Sequence, residues 1–140
     1  MALPTHIKLE FVTPERAIVH DEVDEVGLPG EAGDFGVLPG HAPMLAALRT
    51  GEVWYRKGKD RTSAFIAGGF VEVVGDRVSI LAPAAERAED IDLARAEAAR
   101  RRAEERLSHP MTDVDFERAR IALLRAISRL EISKHARRRS

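Results

Sequence analysis

APAAERAEDIDLARA, residues 82–96, is where this chain changes character. Just ahead of it the residues alternate with period two, Phe70, Glu72 and Val74 standing against Val71, Val73 and Gly75. From it onward, small apolar residues recur at spacings of three and four, the signature of one helix face. The charge changes at the same point. Residues 1–85 hold eight Lys and Arg against twelve Asp and Glu, a net of about −4, and residues 86–140 hold fourteen against eleven, a net of about +3. The chain therefore predicts an α+β organisation, with an all-β body over 1–85 and a helical appendage over 86–140. A basic appendage on an acidic body suits a surface that seeks a partner, and equally a solvated helix.

Back toward the N-terminus, short strand candidates follow one another with turn residues between them. Ile7 to Val12 is stopped by Thr13-Pro14, Ala17 to His20 is short, and Glu22 to Leu28 ends at Pro29-Gly30. Gly36 to Leu38 ends at Pro39-Gly40. Glu52 to Arg56 and Ser63 to Ala67 flank a hairpin loop at Lys57-Gly58-Lys59-Asp60, and Gly69 to Val74 and Arg77 to Leu81 flank Gly75-Asp76. Eight or more short strands without intervening helices predict an antiparallel sandwich or flattened barrel rather than a parallel α/β sheet.

Toward the C-terminus, Asp90 is placed to cap a helix running to about Leu107, with Glu89 and Asp92 near its positive end. Ser108-His109-Pro110-Met111-Thr112 interrupts it, since the residue before proline avoids helix. Asp113 is placed to cap a second helix to about Lys134. Ala96, Ala99, Ala103 and Leu107 form a stripe on the first helix, and Phe116, Ala119, Leu123, Ala126 and Leu130 form one on the second. Small residues on facing stripes let two helices pack closely as an antiparallel hairpin. So narrow a stripe buries little apolar area, so the hairpin is expected to be marginal alone and able to detach or extend.

Several chemistries are excluded or unsupported. A chain 44% hydrophobic and 32% charged is globular rather than disordered. No apolar run reaches the roughly 18–20 residues of a membrane span. Met1 to Glu10 carries no charged-then-apolar leader, from which a cytosolic location is expected. With no cysteine there are no disulfides, thiolate metal sites or cysteine nucleophiles. Gly51 to Asp60, GEVWYRKGKD, has the wrong glycine spacing for a phosphate loop and Asp60 where Ser or Thr is needed. Gly27, Gly30, Gly33 and Gly36 recur every third residue, which suits turns and not a dinucleotide fold. The five histidines form no metal-ligand pair. The chain does not read as an enzyme by itself.

Two features could recognise a partner. The loop Gly33 to Pro43 holds three glycines and two prolines and could present Asp34 and His41, or be an ordinary rigid connection. The arginines give a sharper pattern. Arg95 and Arg102 share a face of the first helix, and Arg118, Arg125 and Arg129 follow at seven and four on the second. A closed hairpin can gather Arg95, Arg102, Arg125 and Arg129, a cluster that would repel itself without an anion, and polyphosphate suits their forked donors. Asp92 and Glu86 stand near the first helix start and could neutralise the cluster or hydrogen-bond a sugar or base. Solvated intrahelical pairs such as Glu97 with Arg101 are the plainer alternative. The tail could also contact nucleic acid, against which stands an aromatic content of 5% and the lack of a basic face on the body.

At these residues the chain resembles the epsilon subunit of bacterial F-type ATP synthases over essentially its whole length. The resemblance is carried by Phe11-Val12-Thr13-Pro14-Glu15, by GVLPGHAPML at Gly36 to Leu45, by the strand pair from Phe65 to Val73, and by AERAEDID at Ala85 to Asp92. It implies a sandwich of about ten strands followed by a two-helix domain, in a non-catalytic subunit of the central stalk. It further implies that the sandwich binds gamma and rests on the c ring through the loop with Asp34 and His41. The hairpin is implied either to fold against the sandwich or to extend along gamma, meeting acidic segments of the beta (and alpha) subunits and blocking ATP hydrolysis. The location implied is peripheral, on the cytoplasmic face of the inner membrane. Some members bind ATP on the folded hairpin through an I/L-D-x-x-R-A motif, matched here by Ile91-Asp92-Leu93-Ala94-Arg95-Ala96, with further contacts at the positions of Glu86, Arg102, Arg125 and Arg129. ATP is thus expected as a regulatory ligand and not as a required cofactor, and a free-standing ATP sensor is the alternative function. Arg100, Arg101 and Arg137 to Arg139 are not part of that motif, and solvated surface is expected for them.

Overall fold

In a computed structural model, which describes residues 5–137, eight strands are followed by a 3-10 turn and two helices. The strands are β1 (Ile7–Val12), β2 (Ala17–Val23), β3 (Glu25–Gly30), β4 (Gly33–Val37), β5 (Met44–Lys57), β6 (Asp60–Val74), β7 (Arg77–Leu81) and β8 (Ala85–Arg87). The turn spans Ala88–Asp90, and the helices are α1 (Leu93–Leu107) and α2 (Asp113–Arg137). Arg138, Arg139 and the side chain of Arg137, for which a solvated surface was expected, lie outside what is described, as do Met1 to Pro4 of the leader reading.

The strands build a β-sandwich, with two long strands serving both layers. Hydrogen bonding runs β2-β1-β7-β6-β5-β3-β4, with β8 on β6. The second half of β6 pairs β7 from Phe70 to Val74, while its first half carries β8 at Ala64 to Ile66. This is why eight strands do the work of the expected ten: β5 and β6 each contribute to both layers. The residues read as separate segments, Ser63 to Ala67 and Gly69 to Val74, form one strand bent at Gly68 and Gly69. Register with β5 holds on both sides, Leu48 opposite Gly69 and Thr50 opposite Ala67. Both glycines have positive φ, and a Cβ on Gly69 would lie 2.3 Å from the Leu81 carbonyl oxygen. Glycine here bends a continuous strand instead of ending it. Similarly, Glu22 to Leu28 is broken at Asp24 into β2 and β3, and β5 begins eight residues before Glu52.

Inward-pointing residues of both layers form one core. Ile7, Leu9, Phe11, Val71, Val73 and Ile80 meet Val26, Val37, Val53 and Ile66, all at most 2% exposed. β6 from Thr62 to Ala67 is buried without alternation, because its second face is covered too. There Phe65 and Ala67 pack with Ala88, Ile91 and Ile132, placing the end of α2 against the outside of the sandwich.

The helices form the antiparallel hairpin. Ala96 and Ala103 of α1 and Ala119 and Ala126 of α2 are each no more than 4% exposed, so the seam is made of alanine. Phe116 of the expected stripe is instead exposed. Caps differ from expectation by one or two residues. The Asp92 side chain, not Asp90, accepts the Arg95 N–H that opens α1, because Ala88–Asp90 is taken up by the 3-10 turn. Thr112, not Asp113, accepts the Asp115 N–H at the start of α2, which then runs three residues past Lys134. Strand β8 also carries the sheet through Glu86 and Arg87, beyond the boundary expected at Ala85.

Candidate functional site

The first three turns of α1, the last third of α2, β8 and the β1–β2 turn line a polar cleft of about 530 Å³. It is lined by Glu15, Glu86, Asp92, Arg95, Ala96, Ala99, Arg102 and Arg129. Each element contributes for a local reason. Asp92 is held at the cleft edge because its carboxylate caps α1, accepting the Arg95 N–H at 3.1 Å. Arg95 and Arg102 lie seven residues apart and so project from α1 on one side. Ala96 and Ala99, short side chains beside the seam, leave the floor open. Strand pairing of β8 onto β6 presents Glu86 opposite Phe65.

Arg129 is the most tightly held cation in the cleft. Its Nε donates to Glu86 Oε1 at 2.6 Å, and its guanidinium lies 4.4 Å from the centre of the buried Phe65 ring. Arg95 and Arg102 have no carboxylate partner among the described residues. The cleft therefore offers two uncompensated guanidiniums, one compensated by Glu86, and acceptors from Glu86, Asp92 and Glu15. That set suits an anion with several oxygens attached to a group that donates hydrogen bonds.

Six of the seven residues expected here line the cleft. Arg125 does not; it stands exposed on α2 one turn before Arg129. Glu15 and Ala99 were not expected. Ala99 could have been found from the seam periodicity, whereas nothing local marks Glu15, which reaches the cleft only through pairing of β1 with β2 and packing of β2 on β8. The simple pair Glu97 with Arg101 does not form. Arg100 instead takes both Glu97 and Glu104, at one turn on either side. Hydrogen bonding to Arg100 lowers the pKa of Glu97 and raises that of Arg100.

A second inter-domain contact was also missed: His135 Nδ1 sits 2.6 Å from Glu52 Oε2 on β5. It closes the edge of the apolar patch formed by Ile132 and Ala136. His135 carries no periodicity signal, and only the folded chain brings it to β5.

The segment holding Asp34 and His41 is not one loop. Gly33–Val37 is strand β4, paired with β3, and only residues 38–43 form the connection. Asp34 accepts Arg49 Nη2 at 2.5 Å and remains mostly exposed. His41 bonds the adjacent Ala42 carbonyl. Asp34 and His41 thus have separate partners, and among the described residues no hydrogen bond or ion pair joins the two side chains. On the outer face of the first layer, Phe70, Leu81 and Val74 are each more than half exposed, with Leu45 beside them. Among the described residues no helix is long and apolar enough to cross a membrane.

Comparison with known proteins adds a family likeness. The model of the ATP synthase delta/epsilon chain β-sandwich domain matches residues 6–88, and that of the long α-helix domain matches residues 89–134. The ATP synthase epsilon chain of Syntrophobacter fumaroxidans is 50% identical over 128 residues, covering 91% of this chain and 96% of the relative. That of Herpetosiphon aurantiacus is 46% identical over 133 residues, 95% of this chain and 98% of the relative. A chain of the Euglena gracilis mitochondrial ATP synthase, solved with OSCP, F1 and c-ring, shares the fold with a TM-score of 0.82 at 24% identity, over 97% of this chain and 84% of that one.

Proposed function

The chain belongs to the ATP synthase delta/epsilon chain family, and on that footing we propose that it is a non-catalytic rotor subunit of the central stalk. The observation that carries this is the order and extent of the match: a sandwich domain and a helical domain, in sequence, across residues 6–134. In this proposal the sandwich seats on gamma and the c ring, at the cytoplasmic face of a bacterial membrane. The exposed apolar side chains Phe70, Val74 and Leu81 favour a protein partner on that face, since soluble surfaces rarely leave such residues clustered. Asp34 and His41 are the residues assigned to the c ring.

The hairpin is the regulatory part. Among the described residues its docking on the sandwich uses one small apolar patch, the Arg129–Glu86 ion pair and the contact of His135 with Glu52. So limited an interface supports a second, extended state in which the basic helices meet beta and alpha subunits and stop ATP hydrolysis. ATP in the cleft of Glu86, Asp92, Arg95, Ala96, Arg102 and Arg129, with Arg125 close by on α2, would favour the docked state. A ligand at ten times its Kd stabilises the form that binds it by about 1.4 kcal/mol, enough to bias a balanced switch.

Co-purification tests the rotor role, with gamma expected to accompany the chain as a stable partner. Truncation after Asp90 keeps β8 and removes both helices. The truncated complex is expected to assemble and couple protons while hydrolysing ATP faster, and an unchanged hydrolysis rate would refute the inhibitory role. Calorimetry on the isolated chain tests the ligand: binding of ATP that Arg95→Ala abolishes supports the cleft, and absence of binding removes ATP from the proposal without touching the rotor role.

A further inference from the structure

The unpaired arginines of the hairpin are sorted onto one edge. Ala96 and Ala126 are buried in one seam with Ala103 and Ala119, which sets the antiparallel register. In that register Arg95, Arg102 and Arg106 of α1, at spacings of seven and four, run beside Arg129, Arg125 and Arg118 of α2, at spacings of four and seven. The two rows form a ladder whose lower end is the cleft, where Arg95, Arg102 and Arg129 are already on its wall. Among the described residues only Arg129 of the ladder has a carboxylate partner, Glu86. The hairpin cations off the ladder are treated differently: Arg100 is held by Glu97 and Glu104, Arg120 by Glu117 and Lys134 by Glu131. Arg101, on the hairpin's opposite surface, also lacks such a partner among the described residues.

From this segregation we infer that the ladder is a track for a linear phosphate chain longer than the tail of a nucleoside triphosphate. The inference rests on the closed hairpin being one of the chain's functional states. From Arg95 to Arg106 the α1 row spans about 16 Å. Neither Arg106 nor Arg118 lines the cleft. Forked guanidiniums in two facing rows match an anion that presents oxygens to both sides at every step, which a phosphate chain does. Both sources of that chemistry, nucleotide and inorganic polyphosphate, share the lower rungs and differ at the upper ones. Because the rows lie on different helices, such a ligand binds only the closed hairpin and holds it shut.

The test titrates the full chain with ATP, inorganic tripolyphosphate and medium-chain inorganic polyphosphate at fixed salt. Polyphosphate is expected to bind more tightly than tripolyphosphate. Arg106→Gln with Arg118→Gln should weaken polyphosphate about tenfold and ATP by no more than about twofold. Arg95→Gln should weaken both, and Arg101→Gln neither. These positions are exposed, and an unchanged melting curve confirms that each variant folds. The inference is overturned if the upper-rung pair leaves polyphosphate affinity intact, if Arg101→Gln costs as much, or if polyglutamate displaces polyphosphate at equal charge. Polyphosphate binding without ATP binding would uphold the ladder and remove ATP from the proposed switch. The reverse result would remove the ladder alone.

Discussion

The sandwich and the hairpin are held by different chemistry. Phe11, Ile7, Leu9, Val53 and Ile66 fill the sandwich with large side chains from both layers, each almost wholly removed from water. The fully buried residues of the hairpin seam are four alanines, with Leu107, Leu123 and Leu130 only half-buried, and its docking patch adds Ile132 and Ile91 against Phe65. Burying a large aliphatic side chain contributes about 1.5–3 kcal/mol, and a methyl only about 0.8 kcal/mol. The body is therefore bound tightly to itself, while the helices are bound loosely to each other and to the body. Two degrees of attachment in one chain are what a fixed seat with a movable arm requires.

Breaking the body should have the largest effect. Phe11→Ala leaves a cavity between the layers and is expected to cost about 3–5 kcal/mol in global stability, read as a large drop in denaturant midpoint. Overfilling the seam should separate the two regions. Ala119→Leu is expected to cost about 1–3 kcal/mol, confined to the hairpin. Hydrogen exchange should then speed up through α1 and α2 while β5 and β6 stay protected; equal loss in both regions would mean that they fold as one unit. Arg129→Ala removes the Glu86 ion pair and uncovers the Phe65 ring, so docking should weaken by about 1–2 kcal/mol. Stronger inhibition of hydrolysis in the assembled enzyme is the expected readout.

The smallest effect is in acid and belongs to the body. Hydrogen bonds from the Gly58 N–H and His6 hold the Asp24 pKa below its ordinary value of 3.8. Its contribution is complete above that value and is lost as pH falls through the lowered one. Asp24→Asn should therefore flatten the fall in melting temperature below about pH 4 and leave the hairpin unaffected.

How much of this was legible in the sequence follows the range of the interactions. Period-two alternation located most strands, and the alanine stripes located the seam, because both patterns lie within a few residues. Cap positions slipped because a 3-10 turn consumed Asp90, a detail decided by how β8 meets α1. Gly68-Gly69 reads locally as a break, yet long-range pairing with β5 carries the strand across it. In the cleft, Asp92, Arg95 and Ala96 sit in one short motif and were readable. Glu15 and the His135–Glu52 contact unite residues far apart in the chain and needed the fold. Arg125 was grouped with Arg129 by helical spacing, yet it stands exposed and is not on the cleft wall.

A distance measurement tests the movable arm most directly. The chain has no cysteine, so labels at Ser108→Cys in the turn between the helices and Lys59→Cys at the β5–β6 tip report one separation without background. In the assembled enzyme, pulsed electron resonance should show a single short distance with ATP and a second, longer population when nucleotide is removed. One unchanging distance under both conditions would contradict the account.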